Sequence, residues 1–419
     1  MTQTPAGNQL PRVVIIGGGF AGIHAAKALR RAPVEVVVID KNNHHVFQPL
    51  LYQVATAGLA AVDIATPIRA ILRKQKNARV IMSEVRDIDR SRRAVLLEHE
   101  EITYDYLILA AGMVTNFFGH DEWRDVAPSL KDLHDALAMR RRILSAFEAA
   151  ELASDPEEVK ALLTFVIVGA GPTGVELAGA IREIAGQVMV HDFRRIDPKL
   201  TRVIMVEAAP RVLPPFPEIL SAKAQQALEK LGVEIRLQTI VKNITPEGVQ
   251  VGDEFVPSRT VLWTAGVAAS PLTKSLGLPL DRAGRVLVNE DLTAPDDPRV
   301  FVAGDLAHFE IGGQPPLPGL AAVAMQEGDH AALNIRLDVA GKARRPFHYL
   351  DRGKMATIGR YRAVAEVFGV RFAGWPAWLA WLFVHVLFLI GFRNRFSVLV
   401  QWAYSYLAVR RCARLILKP

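Results

Sequence analysis

One arrangement occurs twice in this chain and constrains its fold more than any other feature: a short apolar strand, a turn of glycines, then a helix-forming run. The first copy reads Arg12-Val-Val-Ile-Ile-Gly-Gly-Gly-Phe-Ala-Gly22 and the second Thr164-Phe-Val-Ile-Val-Gly-Ala-Gly-Pro-Thr-Gly174. In each, the glycines stand as G-x-G-x-x-G: Gly17, Gly19 and Gly22, then Gly169, Gly171 and Gly174. The first glycine permits a tight turn, the second lets backbone approach a pyrophosphate, and the third lets the helix pack close, with its amide end aimed at the phosphates. Each copy is followed by a strand ending in an acid, Val34–Asp40 and Arg202–Glu207, where a ribose hydroxyl pair needs an acceptor. Asp40 comes 18 residues after Gly22, whereas Glu207 comes 33 after Gly174 because Gln187 to Leu200 reads as an inserted loop. A lone glycine pattern is weak, but strand, turn, helix, strand and acid together predict an α/β chain with two Rossmann-type dinucleotide cradles.

The segments around the two cradles fit that reading. Tyr104–Gly112 and Thr260–Gly266 are apolar strands ending in small residues, which lets backbone lie against a nucleotide. Thr293–Asp305 returns the chain to the first domain and delivers Gly304 and Asp305, either as acceptors for a ribityl chain or as a plain helix cap. An acid at Glu207 favours NADH, because a 2′-phosphate would want an arginine; Arg211, four residues on, is the residue that could serve one. Lys41–Ala55, polar and then aromatic, is expected along the cofactor. Its adjacent His44 and His45 do not make a metal site, since neighbouring positions rarely converge on one ion. Helices are predicted over about Pro67–Lys76 and Asp132–Ala153.

Charge is distributed unevenly. All 43 acids precede residue 367, whereas seven of the 50 Lys and Arg follow it: Arg371, Arg393, Arg395, Arg410, Arg411, Arg414 and Lys418. A neutral body with a cationic tail argues against nucleic-acid binding by the whole protein and points to an anionic partner for the tail. Cys412 is the single cysteine, which excludes disulfides and C-x-x-C redox chemistry and suits a reducing compartment. Met1 to Pro11 has no signal-peptide pattern.

With these residues in view, the chain resembles the type II NADH:quinone oxidoreductases, single-subunit, non-proton-pumping members of the pyridine-nucleotide flavoprotein group. The general group is carried by the two glycine motifs and by Val300-Phe-Val-Ala-Gly-Asp305. The narrower likeness rests on His45–Gln53, Gly174-Val-Glu-Leu-Ala178, Pro318–Gly328, Met355–Gly359 and the tail. The resemblance implies non-covalent FAD on Gly17, Gly19, Phe20, Ala21, Gly22, Asp40, Lys41, Ala111, Gly112, Gly304, Asp305 and Ala324. It implies NADH as substrate on Gly169, Gly171, Thr173, Gly174, Glu207 and Gly266, with Glu176 and Gln326 as catalytic residues and no metal. A family pattern with two glutamines reads Ala321-Ala-Val-Ala-Met-Gln326 here, so Ala322 stands where a quinone-side glutamine is usual. The implied organisation is an FAD-binding domain in two parts, 1–125 and 291–366, an inserted NADH-binding domain at 126–290, and a membrane-association segment at 367–419.

Ala373–Phe392 is a run of 20 residues without Asp, Glu, Lys or Arg, long enough to span a bilayer. Spanning would put the basic tail inside and the cofactor domains outside, so two amphipathic helices inserted in one leaflet are expected, with the chain monotopic on the cytoplasmic face of the cell membrane. Trp375, Trp378 and Trp381 are expected as interfacial anchors, with Trp402, Tyr404 and Tyr406 marking the second helix. His385 reads as a packed or interfacial histidine. The expected partners are a membrane quinone, the bilayer and, as the resemblance allows, a second copy of the chain. Sulfide:quinone oxidoreductases share this scaffold but resemble a family that needs paired cysteines. A membrane-tethered FAD/NADH redox sensor is the alternative of a different class.

Overall fold

The computed structural model of the chain describes residues 10–408 and 413–416, so Cys412, Arg410, Arg411, Lys418 and the segment 1–9 lie outside the described residues. The chain forms two compact units. One comprises 1–45, 66–114 and 267–351, the other 46–65, 115–266 and 352–419. The crossings thus fall near residues 114 and 266 rather than 125 and 290. Residues 267–290 stay with the first unit because Val286–Leu287 pairs in parallel with Ala307–His308.

The first unit is built on a six-stranded sheet in the order Thr293–Ala294, Asp297–Val302, Tyr106–Leu109, Arg12–Ile16, Glu35–Asp40, Ala78–Met82. Only the outermost pair, Thr293–Ala294 with Asp297–Val302, is antiparallel. Strands buried on both faces must be apolar throughout. Accordingly Val13, Val14 and Ile15 are fully buried, as are Val36 to Ile39. Helix Phe20–Ala28 packs along helix Ala321–Val339; a Cβ added at Gly328 would lie 2.2 Å from the Ala21 carbonyl oxygen, so only glycine allows that approach.

The helix expected over Pro67–Lys76 is confined to Ile68–Leu72. Gln75 turns inward instead and donates its side-chain amide to the Ala26 carbonyl at 2.8 Å, which pulls the chain out of helical geometry. Helix Leu133–Leu152 in the second unit forms as expected, with the Asp132 side chain accepting from the Asp135 N–H at its start.

The second unit carries a parallel four-stranded sheet in the order Val233–Arg236, Arg202–Val206, Thr164–Val168, Thr260–Trp263. It also contains the antiparallel sheet Lys354–Thr357, Ala363–Val367, Val370–Gly374, followed by a proximal tail helix, Trp375–Phe388, and a distal tail helix, Phe392–Ala408. The proximal helix packs on that sheet through Ala377 and Trp378. Two of the expected anchors therefore face inward: Trp381 is only 1 % exposed and Trp378 is buried, while Trp375 alone of the three is open, at 62 %. Ala377, Trp378, Trp381 and His385 recur at the three- and four-residue spacings of one helix face, which is the buried one, whereas Trp375 is the first residue of the helix and stays open. Among the described residues no helix is long and apolar enough to cross a membrane.

Candidate functional site

In the first unit the glycine turn is clamped through one residue. Gly18 donates its N–H to Asp40 Oδ2 at 2.6 Å, and its carbonyl accepts from His45 Nδ1 at 2.9 Å. Because a carbonyl only accepts, Nδ1 carries the proton and Nε2 is left as a bare acceptor. Burial holds the His45 ring neutral, with its pKa lowered to about 4. Phe20 lies edge-on to His45 with centroids 5.0 Å apart. The second oxygen of Asp40 accepts from the Asn42 N–H at 2.7 Å. His45 is thus committed to the turn, and His44 to Asn43.

Gly19 and Gly112 border open space, since a Cβ at either would meet no atom within 4 Å. By contrast, a Cβ at Gly22 would sit 1.8 Å from the Gly17 carbonyl oxygen. The turn is therefore closed toward the helix and open outward, as a pyrophosphate cradle requires. Ala21, Ala324 and Gly304 converge here: a Cβ at Gly304 would lie 3.3 Å from Ala21 Cβ and 3.4 Å from Ala324 Cβ. Asp305 follows in a short turn beside Gly319. Lys41 is exposed and Ala111 half-buried. These small residues and outward amides fit FAD.

Two helix residues complete this unit. Gln326 is engaged at both ends of its amide, donating to the carbonyls of Ala322 at 3.1 Å and Leu350 at 3.0 Å and accepting from the Leu350 N–H at 3.0 Å. Glu327, which the sequence reading passed over, is 1 % exposed and accepts from the Gly304 N–H at 2.6 Å. Burial, with the Asp305 charge adding to it, pushes its pKa up to about 8.

The second unit repeats the cradle. Ala170 donates to Glu207 Oε2 at 2.7 Å, its carbonyl accepts from the Leu213 N–H at 2.8 Å, and Glu207 Oε1 accepts from the Ala209 N–H at 2.8 Å. A Cβ at Gly171 would meet open space, whereas one at Gly174 would lie 2.0 Å from the Gly169 carbonyl oxygen. Thr173 is half-buried beside it, and Gly266 closes the far strand, where a Cβ would fall 2.5 Å from the Asn116 carbonyl oxygen. Arg211 bonds the Pro214 carbonyl at 2.9 Å and lies 3.8 Å from Glu218. This cradle fits a dinucleotide as the first does.

Glu176 lies on the helix Pro172–Glu183 of this unit, with its carboxyl buried. Burial pushes its pKa up to about 8, opposed by the Thr357 N–H at 3.5 Å and the Trp381 indole. That indole N–H is buried and makes no hydrogen bond of normal geometry among the described residues. Around Trp381 stand Tyr52, Trp402 and His385, with centroids 6.4, 5.4 and 4.2 Å away. His385 Nδ1 donates to the Trp381 carbonyl at 2.7 Å, and burial lowers its pKa to about 4. It is a packed histidine.

Gln53 accepts from Trp402 Nε1 at 2.7 Å, and Asp63 accepts from Ser397 Oγ and Gln401 Nε2, each at 2.8 Å. The distal tail helix is thus tied down by its polar face. Lys354 Nζ donates to the Pro215 carbonyl at 2.7 Å.

A glycine turn with a terminal acid in each unit, and a buried acid on a helix of each, define a two-nucleotide oxidoreductase. The pyridine nucleotide-disulphide oxidoreductase family model matches residues 11–328, and that of the NDH2 C-terminal domain matches residues 352–411. The type II NADH:quinone oxidoreductase NdhA of Mycobacterium tuberculosis is 47 % identical over 418 residues, 96 % of this chain and 88 % of that protein. The internal alternative NAD(P)H-ubiquinone oxidoreductase A1 of Arabidopsis thaliana mitochondria is 30 % identical, covering 97 % of this chain and 86 % of its own. In fold the chain matches the NDH2 of Plasmodium falciparum solved with NADH, at 18 % identity, a TM-score of 0.88 and coverage of 98 % of this chain and 100 % of the other. The chain belongs to the type II NADH:quinone oxidoreductases.

Proposed function

We propose that this chain oxidises NADH and reduces a membrane quinone by way of non-covalently bound FAD, as a peripheral enzyme of the cell membrane's cytoplasmic face. The observation that carries the reading is the pair of matching cradles, Asp40 on Gly18 and Glu207 on Ala170, in a chain of this family. FAD, when bound, supplies a carrier that takes a hydride and gives up its two electrons singly or as a pair.

The protein's own part is placement, electrostatics and proton supply. In the first unit, the amides around Gly19 would meet the pyrophosphate of FAD, and Asp40 and Asp305 would accept from its hydroxyls. Glu327 holds the Gly304 turn in place for this purpose. Gln326 acts as a positioning residue through its bonds to Ala322 and Leu350. In the second unit, Gly171 and Glu207 do the corresponding work for NADH. Glu176, protonated below about pH 8, is the proton donor to the quinone oxygen.

The bilayer is met by the tail helices. Phe383 is 69 % exposed, Phe392 84 % and Phe396 62 %, while Asn394 is buried and Ser397 and Gln401 turn inward to Asp63. An amphipathic helix whose polar face is spent on the protein and whose apolar face is left open suits an interface with lipid. Steady NADH oxidation with a soluble quinone analogue tests the reading. Turnover is expected, and binding of NADH without turnover would instead favour a redox sensor.

A further inference from the structure

A second charged feature lies far from the tail in sequence, on the first unit. Lys27, Arg30, Arg31 and Arg336 line a cleft of about 340 Å³ with no acid among its lining residues. The exposed turn carrying Arg73, Lys74 and Lys76 is held against the same helix end. Gln75 donates to the Ala26 carbonyl at 2.8 Å, and Asn77 to the carbonyls of Leu29 and Val34 at 3.1 and 3.0 Å. Among the described residues none of these seven cations is in an ion pair; burial lowers the Lys27 pKa, and the Asp329 charge opposes that shift.

Basic residues commonly gather at a helix C-terminus to satisfy its last carbonyls. Here the side-chain amides of Gln75 and Asn77 already bond carbonyls at that end, and the seven cationic residues are all exposed. Seven cations without an ion pair, gathered at one helix end of a body that is neutral as a whole, are a field in search of an anion. Neither the cleft nor the turn carries an aromatic side chain, so bases would have nothing to stack on, whereas lipid phosphates need only charge.

We infer that the patch formed by Lys27, Arg30, Arg31 and Arg336 with Arg73, Lys74 and Lys76 binds the headgroups of anionic phospholipids. The contact is electrostatic, held by charge rather than by apolar side chains. The inference rests on the membrane reading of the tail, and the test separates the two.

The full-length flavoprotein is co-sedimented with vesicles of phosphatidylcholine alone or mixed with phosphatidylglycerol, for the wild type and for Arg30→Gln/Arg31→Gln/Lys74→Gln/Lys76→Gln, whose folding is checked by its bound flavin. The wild type is expected to prefer anionic vesicles, and to lose that preference as salt is raised. At roughly fivefold per cation, the quadruple variant should lose about 600-fold of the preference while keeping its binding to neutral vesicles. An undiminished preference in the variant overturns the patch but leaves the tail reading intact. Failure of the wild type to bind either vesicle overturns both. Competition by inorganic phosphate at constant ionic strength, or by duplex DNA at low concentration, would show that the patch takes a soluble anion or a nucleic acid instead, and would overturn the lipid assignment.

Discussion

Glu207 accepts a hydrogen bond from the Ala170 N–H at 2.7 Å, and so fixes the middle of the second glycine turn to the end of the neighbouring strand. Asp40 does the same to Gly18 at 2.6 Å in the first turn. Each carboxylate also takes a second backbone donor, Ala209 or Asn42, and so is held rigidly while keeping free lone pairs for a ribose. The acid serves as both strut and ligand.

Replacing Glu207 should therefore harm NADH binding twice over. Hydrogen bonds to charged groups contribute roughly 1.5–3 kcal/mol, so Glu207→Ala is expected to raise KM for NADH about 10- to 100-fold with flavin content unchanged. Glu207→Gln, which can still accept from Ala170, should lie between. Initial rates against NADH concentration decide this, and an unaltered KM in the alanine variant would remove Glu207 from the site.

Glu176 is buried, and its carboxyl keeps its proton up to about pH 8. Quinone reduction should be flat below that pH and fall above it as the donor is lost. In Glu176→Gln, which cannot give up a proton, the rate should drop by roughly 10²-fold or more and the fall above pH 8 should vanish. Stopped-flow reoxidation of the reduced enzyme across pH 6 to 9 measures both.

Glu327 has the same raised pKa for a structural reason, and its effect on stability has a definite sign. Between the ordinary carboxylate pKa of 4.5 and about 8, the folded state binds a proton that the unfolded state has lost. Stability therefore falls as pH rises through that window, by about 1.4 kcal/mol per unit at most. Glu327→Gln keeps an acceptor for the Gly304 N–H but does not titrate, so its Tm should decline less between pH 5 and 8 than that of the wild type. Parallel Tm profiles would contradict the assignment.

Asp63 gives the distal tail helix its grip through Ser397 and Gln401. Asp63→Ala strands both donors together with the Ala60 N–H, a loss of about 1–3 kcal/mol in the docking of that helix. Limited proteolysis should cut within 392–408 faster, and activity with long-chain quinone should fall further than activity with a soluble analogue. Deleting the whole tail would be a poorer test, since Trp381 belongs to the core of its unit.

The strands and both turns were legible because each states its own requirement locally: strands buried on both faces are written as unbroken apolar runs, and the turns need glycine where a Cβ cannot fit. Asp40 and Glu207 could be picked out by spacing and Glu176 by the family resemblance, but their bonds to Gly18, Ala170 and Thr357 could not. Asp63 left no local signal, because its partner Ser397 lies 334 residues away. Glu327 was hidden beside Gln326, since only the folded chain brings it to Gly304. From sequence, Trp378 and Trp381 look like anchors, because aromatic composition alone does not reveal which face of a helix meets the protein.

The central claim is that electrons enter from NADH and leave to quinone through a flavin held by this chain. The most direct measurement is the visible absorbance of the purified protein under anaerobic conditions, first with NADH added and then with a quinone. The account predicts a yellow protein that bleaches with NADH and regains its colour with quinone. A colourless protein after reconstitution with FAD, or a flavin that NADH leaves oxidised, would contradict it.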